Sequence, residues 1–310
     1  MRSPNWIRRT ILPGAWTMVL GGIATGCSHD ESVNRTIALD RGAPVKIFNG
    51  SGRVRIVGWA KDSLRVDGAL GHGERFYWLG DARGVKLGVL ESVGDRTSQP
   101  STFTVHVPLT SDFAAKTASA EIDVDSASGF AYTVSGGIHV GGAARSMQVE
   151  SVSGAIEVDC DVPWLRARTA SGPIQLRGRI GDVAGASVAG GIVVGTTASS
   201  RVTMETMSGS ITLPSALAPG ASVSADTHDG AIIFQADSST AARVEMERSV
   251  GEMRGRSRSF VVGHPSRDPA RVRLTTFSGQ IDVCRRRVQD ASGGAEAGHI
   301  QRCDAPGDRP

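Results

Sequence analysis

Aromatic residues are scarce: they make up 5% of 310 residues, and only two are tyrosines. So sparse a supply argues against a broad platform for stacking sugar rings. Surplus charge is missing as well. The formal net charge is +3, but Arg2, Arg8 and Arg9 all precede Cys27, in a segment that contains no acid. Beyond them, 34 − 3 = 31 basic residues face 31 acidic ones. A balanced chain offers no bulk electrostatic case for nucleic acid. The histidines show no HExxH or paired-ligand spacing, so no zinc site is predicted. The glycine-rich, aspartate-bearing nonapeptide of calcium-binding rolls is absent too. Asp123, Asp125, Glu157, Asp159 and Asp161 are therefore not assigned an ion, and no cofactor motif is present.

What the chain has in abundance is glycine, 39 residues, and a phrase said repeatedly: Thr/Ser-x-Ser-Gly-x-Ile-x-Val. It reads TVSGGIHV from Thr133, SVSGAIEV from Ser151, TASGPIQL from Thr169, SVAGGIVV from Ser187 and TMSGSITL from Thr206. The turn glycines Gly136, Gly154, Gly172 and Gly190 are evenly spaced, and Gly209 follows one position late. Further copies start at Asn49, Thr117, Thr227 and Thr276. A short fixed period is the signature of a solenoid.

Within each copy, isoleucine stands two residues after the glycine and valine or leucine four after, with a polar residue between. That alternation is a half-buried strand. A second strand precedes the glycine, with inward columns such as Phe113, Met147, Leu165 and Val183 seven residues upstream. Alternation then breaks, because Val134, Val152, Ala170, Val188 and Met207, two before the glycine, are again apolar. The break beside Ser-Gly predicts a corner with glycine in a tight or positive-φ bend. Stacked Thr and Ser at the corner are expected to satisfy bent backbone groups. The fold class expected is all-β: a single-domain parallel β-solenoid with rungs of about 18 residues. Equivalent residues recurring in register favour it over an antiparallel sandwich.

Residues 1–26 read as a signal peptide: a basic start, then a moderately apolar stretch from Ile11 to Ile23 too short and too broken by glycine to span a membrane. Ala24-Thr25-Gly26-Cys27 resembles a bacterial lipobox, which makes Cys27 the expected lipidation site and the membrane a partner through that lipid. Arg8-Arg9 faintly resembles a twin-arginine signal. Ser28 after the cysteine resembles outer-membrane sorting in a bacterium with two membranes. The expected domains are a lipidated tether over 27–36, a β-solenoid over 37–287 (an N-terminal cap over 37–112, then rungs), and a disordered tail over 288–310. Of the other cysteines, Cys284 and Cys303 are a possible disulfide tying the tail to the last rung. Cys160 falls in the core or at a turn.

TFTVHVPLTSDFAAKTASAEIDV (Thr102 to Val124), followed by the repeated phrase, resembles the bacterial adhesin family of the DUF4097 type over Ile37 to Val283. The resemblance implies a β-solenoid of the cell envelope. The family has no established catalytic residues, so none is transferred. The functional expectation is a non-catalytic envelope lipoprotein that presents a flat face to an unidentified protein or glycan. One alternative is a polysaccharide lyase or hydrolase using Asp123, His139, Glu157 and Gln175, which would neighbour one another on consecutive rungs. Another is an accessory protein of the envelope-stress response. Trp59, Trp78 and Trp164 fall in different columns, which favours packing over a sugar-binding surface.

Overall fold

The computed structural model describes residues 32–90, 100–197, 199–213, 216–237, 241–250, 253–262 and 266–286. The predicted signal peptide, Cys27, Cys303 and the predicted tail lie outside the described residues. Among the described residues the chain is all-β, without a helix. The first nine strands are β1 (Ser32–Ala38), β2 (Val45–Asn49), β3 (Arg53–Trp59), β4 (Ser63–Ala69), β5 (Arg75–Asp81), β6 (Gly84–Leu90), β7 (Thr102–Pro108), β8 (Asp112–Thr117) and β9 (Glu121–Asp125). The central strands are β10 (Ser128–Thr133), β11 (Ile138–Ala143), β12 (Met147–Ser151), β13 (Ile156–Thr169), β14 (Ile174–Ser187), β15 (Ile192–Thr197), β16 (Ser199–Thr206) and β17 (Ile211–Leu213). The last are β18 (Leu217–Thr227), β19 (Ile232–Asp237), β20 (Ala242–Val250), β21 (Met253–Val262), β22 (Ala270–Thr276) and β23 (Ile281–Arg286).

Two stacks of hydrogen-bonded strands result. The first runs β1–β4–β7–β3–β9–β11–β13–β14–β15–β17–β19–β23, and is parallel from β7 onward. The second runs β5–β6–β2–β8–β10–β12–β13–β14–β16–β18–β22–β20–β21. The long strands β13 and β14 serve in both. The phrase sets the register: Ile138 lies opposite Ile156, Ile156 opposite Ile174, Ile174 opposite Ile192 and Ile192 opposite Ile211.

The core lies between the stacks. Ile122, Ile138, Ile156, Ile174 and Ile192 from one face meet Phe113, Met147, Leu165, Val183 and Val202 from the other, all buried. A turn of chain supplies about four such side chains at roughly 1.5–3 kcal/mol each. Fixing the backbone costs roughly 1–2 kcal/mol per residue, so no turn folds by itself and each needs its neighbours. One gap in the column is filled from next door: the thioether of Met204 occupies the space a side chain on Gly185 would take.

The corner departs from expectation in two ways. Gly52, in the copy starting at Asn49, has a φ of +94°, but Gly136, Gly154, Gly172, Gly190 and Gly209 are not in the positive-φ region. They are required by close approach instead. A Cβ on Gly154 would run into the carbonyl of Gly136, on Gly172 into that of Gly154, on Gly190 into that of Gly172 and on Gly209 into that of Gly190. Gly136 meets the carbonyl of Ala120 in the same way. The apolar column two before the glycine also faces outward. Val134, Val152, Val188, Met207 and Phe277 are 41–59% exposed. The hydroxyl column between core and corner is buried. Its oxygens accept from the glycine N–H groups: Thr133 from Gly136, Thr169 from Gly172 and Thr206 from Gly209, each at 3.0 Å, and Ser187 from Gly190 at 2.8 Å. The Ser151 hydroxyl has no such partner.

Both ends differ from a simple run of turns. Ser32–Thr36, read as tether, belongs instead to β1, because Val33 and Ile37 pack against the core and the strand pairs with β4. The predicted cap is mixed. β1, β4 and β5 are antiparallel additions, whereas β2–β3 enters between β6–β7 and β8–β9 as a parallel neighbour of both. At the other end β22 lies between β18 and β20, so β22–β23 also takes a place out of chain order. Beyond β22 in the second stack, β20 and β21 form an antiparallel pair.

Candidate functional site

The outer face of the first stack carries the densest set of charged side chains. Parallel pairing places Arg55 opposite Asp123, Asp123 opposite His139, His139 opposite Glu157 and Glu157 opposite Gln175. Sequence spacing predicted the last four as neighbours, and they are. Each is polar because it points away from the core, and parallel pairing in register turns that alternation into a ladder.

Basic side chains bracket the acidic ones along the ladder. The Arg53 guanidinium pairs with Glu121, its register partner, and with Asp123 at 3.5 Å. The imidazole of His139 lies between two carboxylates, with Nε2 3.2 Å from Glu121 and Nδ1 3.4 Å from Glu157. Arg177, two residues beyond Gln175, donates to the Gln175 side chain at 3.2 Å. Arginines thus flank an acidic centre from both sides. Between Asp125 and Asp159 the register position is Gly141, where an added Cβ would meet nothing closer than 4.0 Å. The missing side chain opens the floor of a groove of about 750 Å³, lined by Arg53, Arg55, Asp123, His139, Glu157 and Arg177 among others.

Glu121, Asp123 and His139 bring three ligand atoms within 4.8 Å of one another. That set could hold a divalent cation in principle, but Arg53 already compensates both carboxylates, so a metal would have to displace a guanidinium. The chemistry the groove offers is recognition. Carboxylates accept hydrogen bonds from hydroxyls or amines, and the arginines at its ends take acidic or carbonyl groups.

Sequence reading missed Arg53, Arg55, Glu121 and Arg177. The signal for the first two was Arg-x-Arg in the copy starting at Asn49. Most of the predicted cap separates that copy, itself within the cap, from its spatial neighbour at Thr117, and nothing in the sequence announces that it is inserted there. The tryptophans take packing roles at the N-terminal end. Trp59 lies 5.0 Å from the His106 ring and donates to the Ser63 carbonyl at 2.7 Å. Arg35 covers Trp78 at 4.6 Å. Trp164 is exposed on β13, away from the groove lining. Cys160 is buried, and burial, with Asp161 and Asp159 adding, pushes its thiol up to about 11. Cys284 lies in β23, is disulfide-bonded and has Gln235 as register partner; the expected partner Cys303 lies outside the described residues.

No family model matches the chain, and no curated protein matches it. Solved structures do. A putative lipid binding protein from Parabacteroides distasonis is 12% identical over 82% of this chain and 97% of its own, with a TM-score of 0.50. It shares the fold. A putative adhesin from Bacteroides fragilis is 14% identical over the same shares, with a TM-score of 0.41. A putative cell adhesion protein from Clostridium sporogenes is 8% identical over 83% of this chain and all of its own, with a TM-score of 0.24. Only the first of these likenesses bears on the fold, and at its identity it carries the fold alone.

Proposed function

We propose that this chain is a non-catalytic, adhesin-like lipoprotein of the cell envelope. In this reading the two stacks form a β-solenoid with rungs of about 18 residues, related to the DUF4097-type family. Cys27 carries the lipid, a Cys284–Cys303 bridge fastens the tail, and the groove over Gly141 binds an extended ligand. The observation that carries it is the groove: an acidic centre flanked by arginines on a rigid frame, with an open floor. Its acidic centre and arginine ends suit a hydroxyl-rich glycan with amine or acidic substituents. A protein loop of mixed charge is the other candidate.

Gly141→Trp tests this by filling the floor. The full chain and the variant are compared on a glycan array and by cross-linking in envelope fractions. The ligand held by the native chain is expected to be lost in the variant, with no fall in melting temperature. Equal binding by both would remove the groove from the function. A polysaccharide-processing enzyme is the second reading, favoured by the adjacency of Asp123, His139 and Glu157. Against it, both imidazole nitrogens are already engaged by carboxylates. Turnover of an envelope polysaccharide that is lost in His139→Ala would move the enzyme reading to first place.

A further inference from the structure

The outward column at the corner forms a continuous apolar ridge. Val134, Val152, Val188 and Met207 follow one another from turn to turn, with Ala170 between, and the ridge ends where Phe277 stacks on the His228 ring at 4.6 Å. Seven steps of about 4.8 Å separate the turn of Ala118 from that of Phe277, so the ridge is roughly 34 Å long. Over its middle turns its flanks are small and uncharged, with serine or alanine on one side and glycine, alanine, proline or serine on the other; Glu121, Asp229 and Gln280 stand in the flanks nearer its ends. From the turn of Val134 to that of Met207 these three columns hold no charged residue. An apolar line of this extent on a surface otherwise rich in ion pairs marks a contact face.

Size decides against a second copy. Three columns span about 10 Å, so the face covers roughly 340 Å² per molecule and roughly 700 Å² for a pair. Stable interfaces need about 1,200 Å² or more. A bilayer surface has no such minimum, provided the chain is held beside it. The register shows that it would be. Ser32, the first residue of β1, aligns laterally with Ala69, Thr102, Arg53 and Glu121, and Glu121 immediately follows the first corner of the ridge. The chain therefore enters on the same edge as the ridge and in line with it. Only residues 28–31 separate Cys27 from Ser32, a reach of roughly 17 Å at full extension. An acyl chain on Cys27 would hold this edge, at its N-terminal end, close to the lipid.

We infer that the Ala118-to-Phe277 ridge is a membrane-facing surface, on which the protein lies along the bilayer with the groove on its flank. The inference rests on lipidation of Cys27. The experiment uses the full chain, isolated from membranes and reconstituted in phosphatidylethanolamine/phosphatidylglycerol vesicles, carrying a single environment-sensitive fluorophore on Ser171→Cys. Ser200→Cys, exposed in β16, is the control position. Cys160 does not compete for label, because it is buried and its thiol is pushed up to about 11. Mass spectrometry of Cys27 is read from the same samples. The expected result is acyl mass on Cys27 and several-fold weaker iodide quenching at Ser171 than at Ser200. That protection should appear on vesicles, be absent in detergent, and weaken in Val152→Asp/Val188→Asp. Acyl mass with equal quenching at both positions overturns the ridge proposal alone. Protection that persists in detergent also overturns it, in favour of a second copy. No acyl mass overturns the lipidation reading and the proposal with it.

Discussion

Replacing Gly172 by alanine tests the close-approach account of the corner. The added Cβ would lie 2.7 Å from the carbonyl carbon of Gly154 and closer still to its oxygen, whereas ordinary contact is about 3.5–4.0 Å. The obstructing atoms are backbone, held by the turn below and the turn above, so neither side can swing away. Overpacking of this kind costs about 1–3 kcal/mol, and backbone obstruction puts Gly172 at the upper end. Alanine recovers about 0.4–1 kcal/mol by restricting the unfolded chain, leaving a net loss of about 2 kcal/mol. At about 2–4 °C per kcal/mol for a domain of this size, the melting temperature should fall by roughly 4–8 °C. Gly141→Ala is the matched control. Its Cβ meets nothing within contact, so only the unfolded-state term acts, and the melting temperature should rise by roughly 1–4 °C. Thermal and urea unfolding followed by circular dichroism measure both. Equal stability of the two variants would refute the idea that the repeated glycine is there for lack of space.

Thr169→Val removes the oxygen that accepts from Gly172 N–H at 3.0 Å while keeping the shape. The stranded buried donor should cost about 1–3 kcal/mol in urea unfolding, and Thr169→Ser should restore most of it. Burial, ahead of the opposing charge of Asp67 and the arginines nearby, holds the His106 imidazole below its ordinary 6.5. The folded state therefore binds fewer protons than the unfolded chain there. The stabilising contribution is complete above pH 6.5 and is lost as pH falls through the folded value. In His106→Leu this acid-side loss should shrink, as read from unfolding at a series of pH values. Cys160 has the opposite sign. Its thiol is raised from 9.0 to about 11, so its contribution is complete below pH 9.0 and is lost as pH rises through about 11. Iodoacetamide at pH 8 should leave Cys160 intact in the native chain and modify it in urea.

Much of the fold was legible because one phrase carries three signals together. Ile138 and Val140 mark an inward strand, Thr133 marks the hydroxyl that closes the corner, and Gly136 marks the point where backbones nearly touch. The period then fixes which residue lies against which, so His139 could be placed between Asp123 and Glu157 without coordinates. Three things were hidden. The outward direction of Val134 and its successors was obscured because apolar residues are read as inward by default, and a corner is where that default fails. Arg53 was hidden because its partners come from a turn placed out of chain order, and lateral order beyond the regular run is set by which edge is free when the segment folds. The reason for the corner glycine was likewise out of reach: an approach between backbones is a property of two turns, not of one.

The displaced turns at the two ends bear on how the molecule comes apart. A simple coil of strands peels from its terminus, each turn released freeing the next. Here the strands next to the chain ends are held on two sides: β22 lies between β18 and β20, and β2–β3 lies between β6–β7 and β8–β9. Among the described residues the outermost strands β1 and β23 are each paired on one side only. A force or a protease acting on a terminus can therefore free one strand, and then meets a clamped segment: β22 behind β23, β2–β3 behind β1. Unravelling stops there, as in a seam whose stitch is tied off one loop in from each end.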